Sequence, residues 1–462
     1  MPIELPGFYW DEVRQRYFPI TSRSAQPFGW QPSPSVATVS TRTAGPIVTS
    51  SQPEPERGGH EVTARPKKKR RFTNTSPPTF ATRERIKHDI TSDTISCLSK
   101  GSVVYCGDFP CSSFNASDVL EDGVVTLHTG DTGGWLQTCS IDPHGFAYNS
   151  SRELYLGSEV TTLCHSANLR VAVSFGPSSK IALENTLEDS DMWTIVGIPD
   201  KRAHDFRVAD LQGSRLAIGA ASRGIVLPNI EYSWHWDALN TGSDVLAICQ
   251  KDFLVYTGTR NGSIKAFDIR VNTQRKGQSL FGERFSADTR SITHLSIINE
   301  WQMVVSTIRG DLEVLDLRFA RADAPVMSLH GHVNSYSTKL GITTSLCSSF
   351  LFAAGQDTRI RAWSIHPSSH TTQPIDVLTS SDLRPGSLQP QADRNVHSQE
   401  DPDSLAVHPL CHTFKDPIVG LQVTGPTSSS SMMTLWAGEG KNVWRFGLGC
   451  EFDHGGFHSL RP

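Results

Sequence analysis

The sequence predicts an all-β protein built from one repeated unit, and three observations support this prediction. The unit is clearest in residues 253–270, where an apolar run enters a turn at Asn261-Gly262 and an alternating strand leaves it. Asn-Gly tolerates the positive φ angles of a tight hairpin turn, and alternation gives each strand one buried and one solvated face. The same order of strand, turn and strand recurs in residues 303–318 and 351–366. Because a single hairpin is only marginally stable in water, the recurrence indicates a repeat architecture.

Weaker copies of the hairpin bring their number to seven. The residues that mark their turns are 39 to 49 residues apart, with one longer step of 83 residues before the last copy. In chain order the markers are Gly130, Gly176, Gly219, Gly258, Thr307, Gly355 and Gly438. A ring that closes on itself removes the exposed edge strands that promote aggregation. We therefore expect the strand at 102–106 to complete the last unit, which ends at Leu448.

The sixth copy carries the clearest family resemblance. A Gly-His pair that ends at His332 precedes its strands, Asp357 lies in its turn, and Trp363 follows six residues later. This pattern resembles the WD repeat, which implies a seven-bladed WD-repeat β-propeller with four strands in each blade. In that family the His, Asp and Trp join a strand hydroxyl in a buried network. The resemblance therefore implies structural roles for these three residues, with Ser348 or Ser349 supplying the hydroxyl.

The composition divides the chain into a propeller and flanking segments. The predicted segments are an aromatic N-terminal motif at 1–20, a disordered tail at 21–79, a short helix at 80–93, the propeller at 94–450 with a disordered insertion at 367–405, and a C-terminal tail at 451–462. Pro, Ser and Thr dominate the tail, so it cannot bury enough apolar surface to offset the entropy cost of ordering. The polar insertion accounts for the long step before the last hairpin.

Composition and motif searches exclude several classes of function. The formal net charge of −4 gives no overall attraction to nucleic acid, so we expect no direct sequence-specific nucleic-acid binding. The apolar runs are far shorter than the ~20 residues that span a bilayer, and we expect no membrane segment. The 9 cysteines are scattered singly, which favours reduced core residues in an intracellular protein and predicts no metal site. HExxH, GxSxG and a phosphate-binding loop in a strand-to-helix setting are absent, so we expect neither catalysis nor a cofactor.

A compact basic block lies in the predicted tail. Five cations follow Pro66, namely Lys67, Lys68, Lys69, Arg70 and Arg71. Such a block in a flexible tail suits the acidic grooves of nuclear import receptors and resembles a monopartite localisation signal. The alternative is a solvated charge run or a nonspecific phosphate contact. The block predicts a nuclear protein with an import receptor among its partners.

The N-terminal motif carries a second resemblance. Residues 5–20 contain five aromatic side chains, and two interpretations stay open: a clip that docks on the side of the propeller, or a partner-binding linear motif. The segments PGFY at 6–9 and RYF at 16–18, with Asp11 between them, resemble the N-terminal signature of a nuclear WD-repeat family, the fourth of the DDB- and cullin-4-associated factors. Members of that family are substrate receptors of cullin-4 RING ubiquitin ligases.

Two short boxes end consecutive repeats with the same pattern of Asp, an aliphatic residue and Arg. They contain Asp268 with Arg270 and Asp316 with Arg318. The pattern resembles the WDxR box through which cullin-4 receptors dock on the DDB adaptor, and it implies adaptor-binding roles for these four residues. A third candidate, WSIH at 363–366, keeps the Trp but lacks the Asp and the Arg.

The resemblance implies a non-catalytic substrate-recognition subunit of a cullin-4 RING ligase, with the DDB adaptor and a protein substrate as partners. It also implies that the helix at 80–93 inserts into the adaptor, whereas a surface helix covering one end of the barrel is the simpler interpretation. The competing function is a nuclear WD-repeat scaffold of a chromatin, RNA-processing or ribosome-maturation complex. The sequence does not indicate which substrate is bound, because the binding surface of a propeller is assembled from turns of many blades.

Overall fold

The computed structural model describes residues 8–11, 16–19, 80–117, 124–166, 168–187, 192–271, 277–282, 284–285, 290–320, 324–366, 372–375, 407–425 and 433–448. The chain divides into two units, Met1–Thr73 and Asn74–Pro462, and each is described by itself.

The first unit contains a β-hairpin formed by the aromatic motif. Strands β1 (Phe8–Asp11) and β2 (Arg16–Pro19) pair in an antiparallel register that sets Tyr9 opposite Phe18 and Trp10 opposite Tyr17. The two interpretations of this hairpin, as a clip on the propeller or as a partner-binding motif, both stay predictions. The tail at 21–79, including its basic block, lies outside the described residues.

The second unit begins with helix α1 (Phe80–Leu98) and strand β3 (Lys100–Cys106), and continues into seven sheets. Blade 1 contains β4 (Cys111–Ala116), β5 (Val125–Asp131), β6 (Trp135–Ile141) and β7 (Ala147–Tyr155). Blade 2 contains β8 (Val160–Ser166), β9 (Leu169–Ser174), β10 (Ile181–Asn185) and β11 (Thr194–Val196). Blade 3 contains β12 (Val208–Gln212), β13 (Arg215–Ala220), β14 (Arg223–Leu227) and β15 (Asp237–Leu239).

The remaining blades follow the same order. Blade 4 contains β16 (Val245–Lys251), β17 (Leu254–Thr259), β18 (Ile264–Asp268) and β19 (Gln278–Leu280). Blade 5 contains β20 (Ile292–Ile298), β21 (Gln302–Thr307), β22 (Leu312–Asp316) and β23 (Met327–Ser328), with a 3-10 turn at Leu317–Phe319. Blade 6 contains β24 (Ile342–Thr344), β25 (Phe350–Ala354) and β26 (Ile360–Ser364), and blade 7 contains β27 (Ile418–Thr424), β28 (Thr434–Glu439) and β29 (Asn442–Gly447) together with β3.

These sheets confirm the predicted seven-bladed propeller. Strand β3 pairs with β29 and sets Val103 opposite Trp444, so the first strand of the unit closes the last blade as expected. The Asn-Gly turn of blade 4 also forms as predicted. Gly262 has a φ of 80°, and a Cβ at this position would collide with the carbonyl of Phe285. This turn therefore requires glycine.

The apolar core lies within and between the blades. One cluster joins blades 6 and 7 and includes the fully buried Phe352, Phe446 and Leu435. Another joins blades 4 and 5 through Tyr256 and Met303, among others. The second strands of several blades are buried on both faces, as in β25 and β28, whereas strands such as β5 and β6 alternate between more and less buried residues.

Helix α1 is longer than predicted, because it ends at Leu98 rather than at 93. The extra turn is held by Ile95, which is buried in the core of blades 6 and 7. Ser99 Oγ donates to the Ile95 carbonyl at 2.7 Å and closes the last turn. The expected apolar positions Ile86 and Ile90 are both exposed. The described residues contain no helix with the length and apolar character needed to cross a bilayer.

The predicted insertion begins too early at 367. Ile375 N donates to Ala362 O at 2.7 Å, and His330 N donates to Thr372 O at 2.8 Å. Ile375 therefore pairs with the open edge of β26, whose backbone groups would otherwise be unsatisfied, and Thr372 pairs with the loop before blade 6. Residues 376–406 lie outside the described part of the chain.

Candidate functional site

The two Asp-Arg boxes occupy equivalent positions in blades 4 and 5. Asp268 ends β18 opposite Leu254, and Asp316 ends β22 opposite Gln302. In an antiparallel hairpin the end of the third strand lies beside the beginning of the second. Both boxes therefore lie on the face of the propeller that carries the turns between first and second strands.

Backbone hydrogen bonds fix each box to that turn. Ile269 N donates to Phe253 O at 3.0 Å, and Leu317 N donates to Trp301 O at 2.7 Å. Each box is thus tied to an aromatic residue at the same position of its own blade. This equivalence follows from the repeat and gives the two blades a common local geometry.

Each Arg forms a two-pronged hydrogen bond with the Asp of its own box. Arg270 donates to Asp268 at 3.0 Å from Nε and 2.7 Å from Nη2, and Arg318 donates to Asp316 at 3.0 Å and 2.6 Å. Donation from the Arg270 side chain and then from its backbone N–H lowers the pKa of Asp268 to about 2. Donation from Arg318 likewise lowers the pKa of Asp316. Both carboxyls are therefore ionised at neutral pH and hold their guanidiniums in place.

We call each two-pronged Arg–Asp hydrogen bond a fork. The two forks leave N–H groups of Arg270 and Arg318 available to a partner. The side chains of Arg270 and Arg318 are 61% and 55% exposed. A guanidinium has five N–H groups, and each fork uses only two of them. A pre-oriented, exposed guanidinium is well suited to charge-assisted hydrogen bonds with carboxylates or carbonyls of another protein.

Exposed aromatic rings surround the forks. The Arg270 guanidinium lies 4.8 Å from the ring centre of Phe253, and that of Arg318 lies 5.8 Å from Phe319. Phe253 and Trp301 are each 51% exposed, and Phe319 is 63% exposed. We call these five residues the box surface. Aromatic and Arg side chains are the residues most enriched among the energetically dominant contacts of protein interfaces.

A cleft between blades 4 and 5 opens beside the box surface. It has a volume of about 880 Å³, and both Asp268 and Trp301 contribute to its lining. Its walls include the apolar side chains of Phe267, Leu280 and Leu317. A concave apolar wall next to oriented polar groups is the usual form of a site that receives a side chain of a partner.

Blade 6 uses the same two positions differently. Ser364 lies opposite Phe350, as Asp268 lies opposite its partner in blade 4, and His366 follows two residues later. The His88 ring of α1 stacks on Phe350 at 4.8 Å with an interplanar angle of 6°, and lies 4.8 Å from His366. Ser364 Oγ is 2.9 Å from His88 Nε2. The third box is therefore the seat of helix α1, which places this helix on the same face as the two forks.

Sequence reasoning missed His88. The sequence points to this histidine only indirectly. The third box keeps Trp363 but has Ser364 and His366 in place of Asp and Arg, and these two residues contact the helix. No spacing within residues 80–93 distinguishes this histidine before its contacts are known.

The predicted network of His332, Asp357 and Trp363 does not form. Trp363 Nε1 donates to His330 O at 2.9 Å, and His332 Nε2 lies 3.2 Å from Ala354 O. Asp357 instead receives two hydrogen bonds, at 2.9 and 2.6 Å, from Arg361. The Trp363 indole thus donates to a backbone carbonyl, and Arg361, two residues earlier, binds the Asp357 carboxylate.

The expected hydroxyl also has another role. Ser345 Oγ accepts from the backbone N–H groups of Ser349 and Phe350 at 3.1 and 3.0 Å, so it closes the turn before β25. Ser348 and Ser349 do not reach the Trp363 indole, whose hydrogen-bond acceptor is His330 O. Trp363 is nevertheless fully buried, and burial lowers the pKa of His332 and keeps it neutral.

Nothing in the described part of the chain groups three or more His, Cys, Asp or Glu side chains in a way that could hold a metal ion. The basic residues at 67–71 and the His-rich C-terminal tail lie outside that part. The site is therefore one of exposed guanidiniums, aromatic rings and an apolar cleft, which suits protein binding.

Comparison with known proteins identifies similar chains. Residues 158–385 match the family model of the DDB1- and CUL4-associated factor 4 β-propeller domain. The human DDB1- and CUL4-associated factor 4 is 31% identical over 160 residues, which are 34% of this chain and 31% of the human protein. The bovine protein of the same name is 27% identical over 182 residues, 36% of this chain and 35% of its own length. The match thus spans about a third of these relatives.

Among solved structures, the WD40 β-propeller domain of Doa1 superposes with a TM-score of 0.51. The alignment covers 76% of this chain and 97% of that domain, at 12% identity. At this identity the likeness shows the propeller fold alone.

Proposed function

We propose that this chain, which resembles DDB1- and CUL4-associated factor 4 over its propeller as its sequence predicted, is the substrate-recognition subunit of a cullin-4 RING ubiquitin ligase. It docks on the DDB adaptor and presents a protein substrate for ubiquitination. The observation that carries the proposal is the pair of Asp-Arg forks, which stand at equivalent positions of neighbouring blades, on one face, each beside an exposed aromatic ring.

The box surface has the chemistry that adaptor docking needs. The exposed guanidiniums of Arg270 and Arg318 provide directional donors, and the aromatic rings provide apolar area that gains free energy when a partner removes it from water. The cleft between blades 4 and 5 adds a recess for an apolar side chain of the adaptor. Both forks serve one partner because they lie on adjacent blades of the same face.

Helix α1 extends the docking surface toward blade 6. Its contacts with Ser364 and His366 place it on the face of the boxes, and its Ile86 and Ile90 are 49% and 59% exposed. These two residues lie four apart and therefore on one side of the helix. An exposed apolar pair on a helix that the propeller holds is suited to insertion into a groove of the adaptor, which the family resemblance also implies.

The propeller fold and the family match indicate a scaffold or a receptor whose role is binding. The competing function, a nuclear scaffold of a chromatin, RNA-processing or ribosome-maturation complex, uses the same fold without ubiquitin transfer. The family match favours the ligase role, and the two exposed guanidiniums on one face give that role a docking surface. The basic block at 67–71 supports nuclear import for either function.

Affinity capture distinguishes the two functions. The tagged full chain is isolated from a nuclear extract, and the eluate is scored for the DDB adaptor, for cullin-4 and for ubiquitin transfer. We expect the adaptor and cullin-4 in near-stoichiometric amounts. Recovery of a chromatin, RNA-processing or ribosome-maturation complex without the adaptor would contradict the ligase function and favour the scaffold.

A further inference from the structure

The face opposite the box surface carries the turns between second and third strands, because these turns form the other end of each hairpin. In blades 5, 6 and 7 these turns present Arg309, Arg359 and Lys441, and all three side chains are exposed. The three turns belong to consecutive blades. They therefore follow one another around this face.

Two loops fill the spaces between these turns and add to the same surface. Val333 O accepts from Gln356 N at 2.8 Å, which ties the loop before blade 6 to the turn of that blade. Phe414 N donates to Thr358 O at 2.9 Å, which ties the loop before blade 7 to the same turn. The first loop exposes Tyr336 to 70%. The surface is thus continuous across the three blades.

The second loop adds another cation. Lys415 is exposed, and its backbone N–H donates to Glu439 Oε1. Asp416 N donates to the same carboxylate oxygen at 3.1 Å. The loop is therefore fixed to the beginning of the turn that carries Lys441.

Most of the nearby carboxylates are already paired. Asp357 accepts two hydrogen bonds from Arg361, and Asp311 lies 3.3 Å from Arg290. Glu439 is buried and accepts from the indole of Trp444 at 2.8 Å. These acidic groups therefore interact first with their own partners, although Asp357 also interacts, more weakly, with Arg359.

The exposed cations outnumber the exposed carboxylates on this surface. Within the described ranges, none of Arg309, Arg359, Lys415 and Lys441 has a carboxylate within ion-pair distance, and Asp416 is the exposed acid among them. The surface is therefore locally positive although the chain as a whole is slightly negative. We call these four cations, with Val333 and Tyr336, the turn patch.

We propose that the turn patch binds an extended acidic peptide segment of a protein partner. Glu or Asp side chains of the segment pair with the four cations, and one apolar side chain packs on Tyr336 and the exposed Val333. We assign this peptide to the ligase substrate, and that assignment alone rests on the proposed function. The opposite face then holds the adaptor, so both partners bind at once.

An acidic peptide fits the patch better than nucleic acid does. A nucleic-acid surface uses a longer row of cations with several aromatic rings for stacking, whereas this patch has a single exposed ring. Asp416 beside the patch and the net charge of −4 also oppose a long polyanion.

Selection from a random-peptide phage library on the immobilised full chain, without any adaptor present, tests the proposal. The enriched peptides are then labelled and titrated by fluorescence anisotropy against three proteins: the wild type, the double variant Arg309→Glu and Arg359→Glu, and a control double variant Lys201→Glu and Arg202→Glu. Lys201 and Arg202 are exposed cations on the same face but outside the patch, in the loop before blade 3. The control therefore carries the same change in charge.

We expect enrichment of peptides that combine Asp or Glu with an apolar residue. Their affinity should fall about tenfold or more in the patch variant, remain within about twofold in the control, and weaken as salt is raised. An enriched pool without acidic residues, or equal binding by the patch variant, would overturn the proposal. Tighter binding of a single-stranded oligonucleotide at the same residues would assign the patch to nucleic acid instead. Because no adaptor is present, these results are independent of whether the box surface docks on it.

Discussion

The Nε2 atom of His88 lies 2.9 Å from Oγ of Ser364, and Ser364 stands where Asp268 and Asp316 stand in the two preceding blades. One position of the repeat thus has two uses. In blades 4 and 5 it holds a guanidinium toward solvent, and in blade 6 it holds a helix. The helix and the forks together form one surface on a single face of the propeller.

The His88→Ala substitution tests the attachment of the helix. It removes the stacking on Phe350 and the hydrogen bond to Ser364, so we expect faster hydrogen exchange across α1 and unchanged exchange in β17 and β18. Arg85→Ala is the control, because Arg85 is exposed and its ion pair, at 3.9 Å, is with Asp89 of the same helix. Unchanged exchange in α1 of the His88 variant would contradict this account of how the helix is held.

Trp363→Ala tests the packing of blade 6. Its side chain is fully buried and donates to His330 O, so its loss leaves a large cavity and an unpaired carbonyl. We expect a loss of about 3–5 kcal/mol in the free energy of unfolding, measured by urea denaturation. Trp301→Ala is the matched control, because Trp301 is 51% exposed, and its cost should be about 1–2 kcal/mol, below that of Trp363→Ala. Equal unfolding midpoints for the two variants would contradict the assignment of Trp363 to the core.

His128 makes the stability of blades 1 and 2 depend on pH. Burial, and then the guanidinium of Arg170 at 2.7 Å, lowers its pKa from 6.5 to about 3. On acidification the His128 imidazole is protonated first in the unfolded chain, where its pKa is about 6.5. The free energy of unfolding therefore decreases as the pH falls from about 6.5 toward 3. Between pH 7 and pH 5 the urea midpoint of unfolding should decrease more in the wild type than in His128→Gln, whose side chain does not titrate. A drop of equal size in both proteins would contradict the prediction.

Deletion of residues 66–71 tests the proposed nuclear import signal. At 50.8 kDa the protein enters the nucleus slowly without a carrier, so the deletion variant should accumulate in the cytoplasm. Deletion of residues 51–56, which removes the same length of tail without a cation, is the control and should leave the distribution unchanged. Fluorescence microscopy of tagged proteins measures both. A fully nuclear 66–71 deletion would show that the basic block is not the signal.

The parts of the fold that sequence predicted correctly are those set by local chemistry. The turn at Gly262 requires a positive φ angle, and the alternation around it fixes which side chains face the core. Repetition of that unit was enough to predict seven blades and the closing strand β3. The positions of the Asp-Arg boxes followed from the same register.

The parts that sequence did not predict depend on contacts between distant residues. The end of α1 is set by Ile95 in the core of blades 6 and 7, more than 250 residues before Phe350. The indole of Trp363 selects the carbonyl of His330, which no spacing rule distinguishes from a serine hydroxyl. Similarly, Ile375 begins a mainly polar stretch, yet it bonds to β26 and packs against the core of blades 6 and 7 because that edge is open.

The double variant Arg270→Ala and Arg318→Ala tests docking on the DDB adaptor most directly. Both guanidiniums are exposed and contact mainly their own Asp, so the variant should unfold at nearly the wild-type temperature. Its affinity for purified adaptor, measured by biolayer interferometry, should fall by about 30-fold or more, as expected for the loss of interface Arg contacts worth ~2 kcal/mol or more. The control Lys201→Ala and Arg202→Ala, on the opposite face, should bind as the wild type does. Wild-type affinity in the folded box variant would contradict the account.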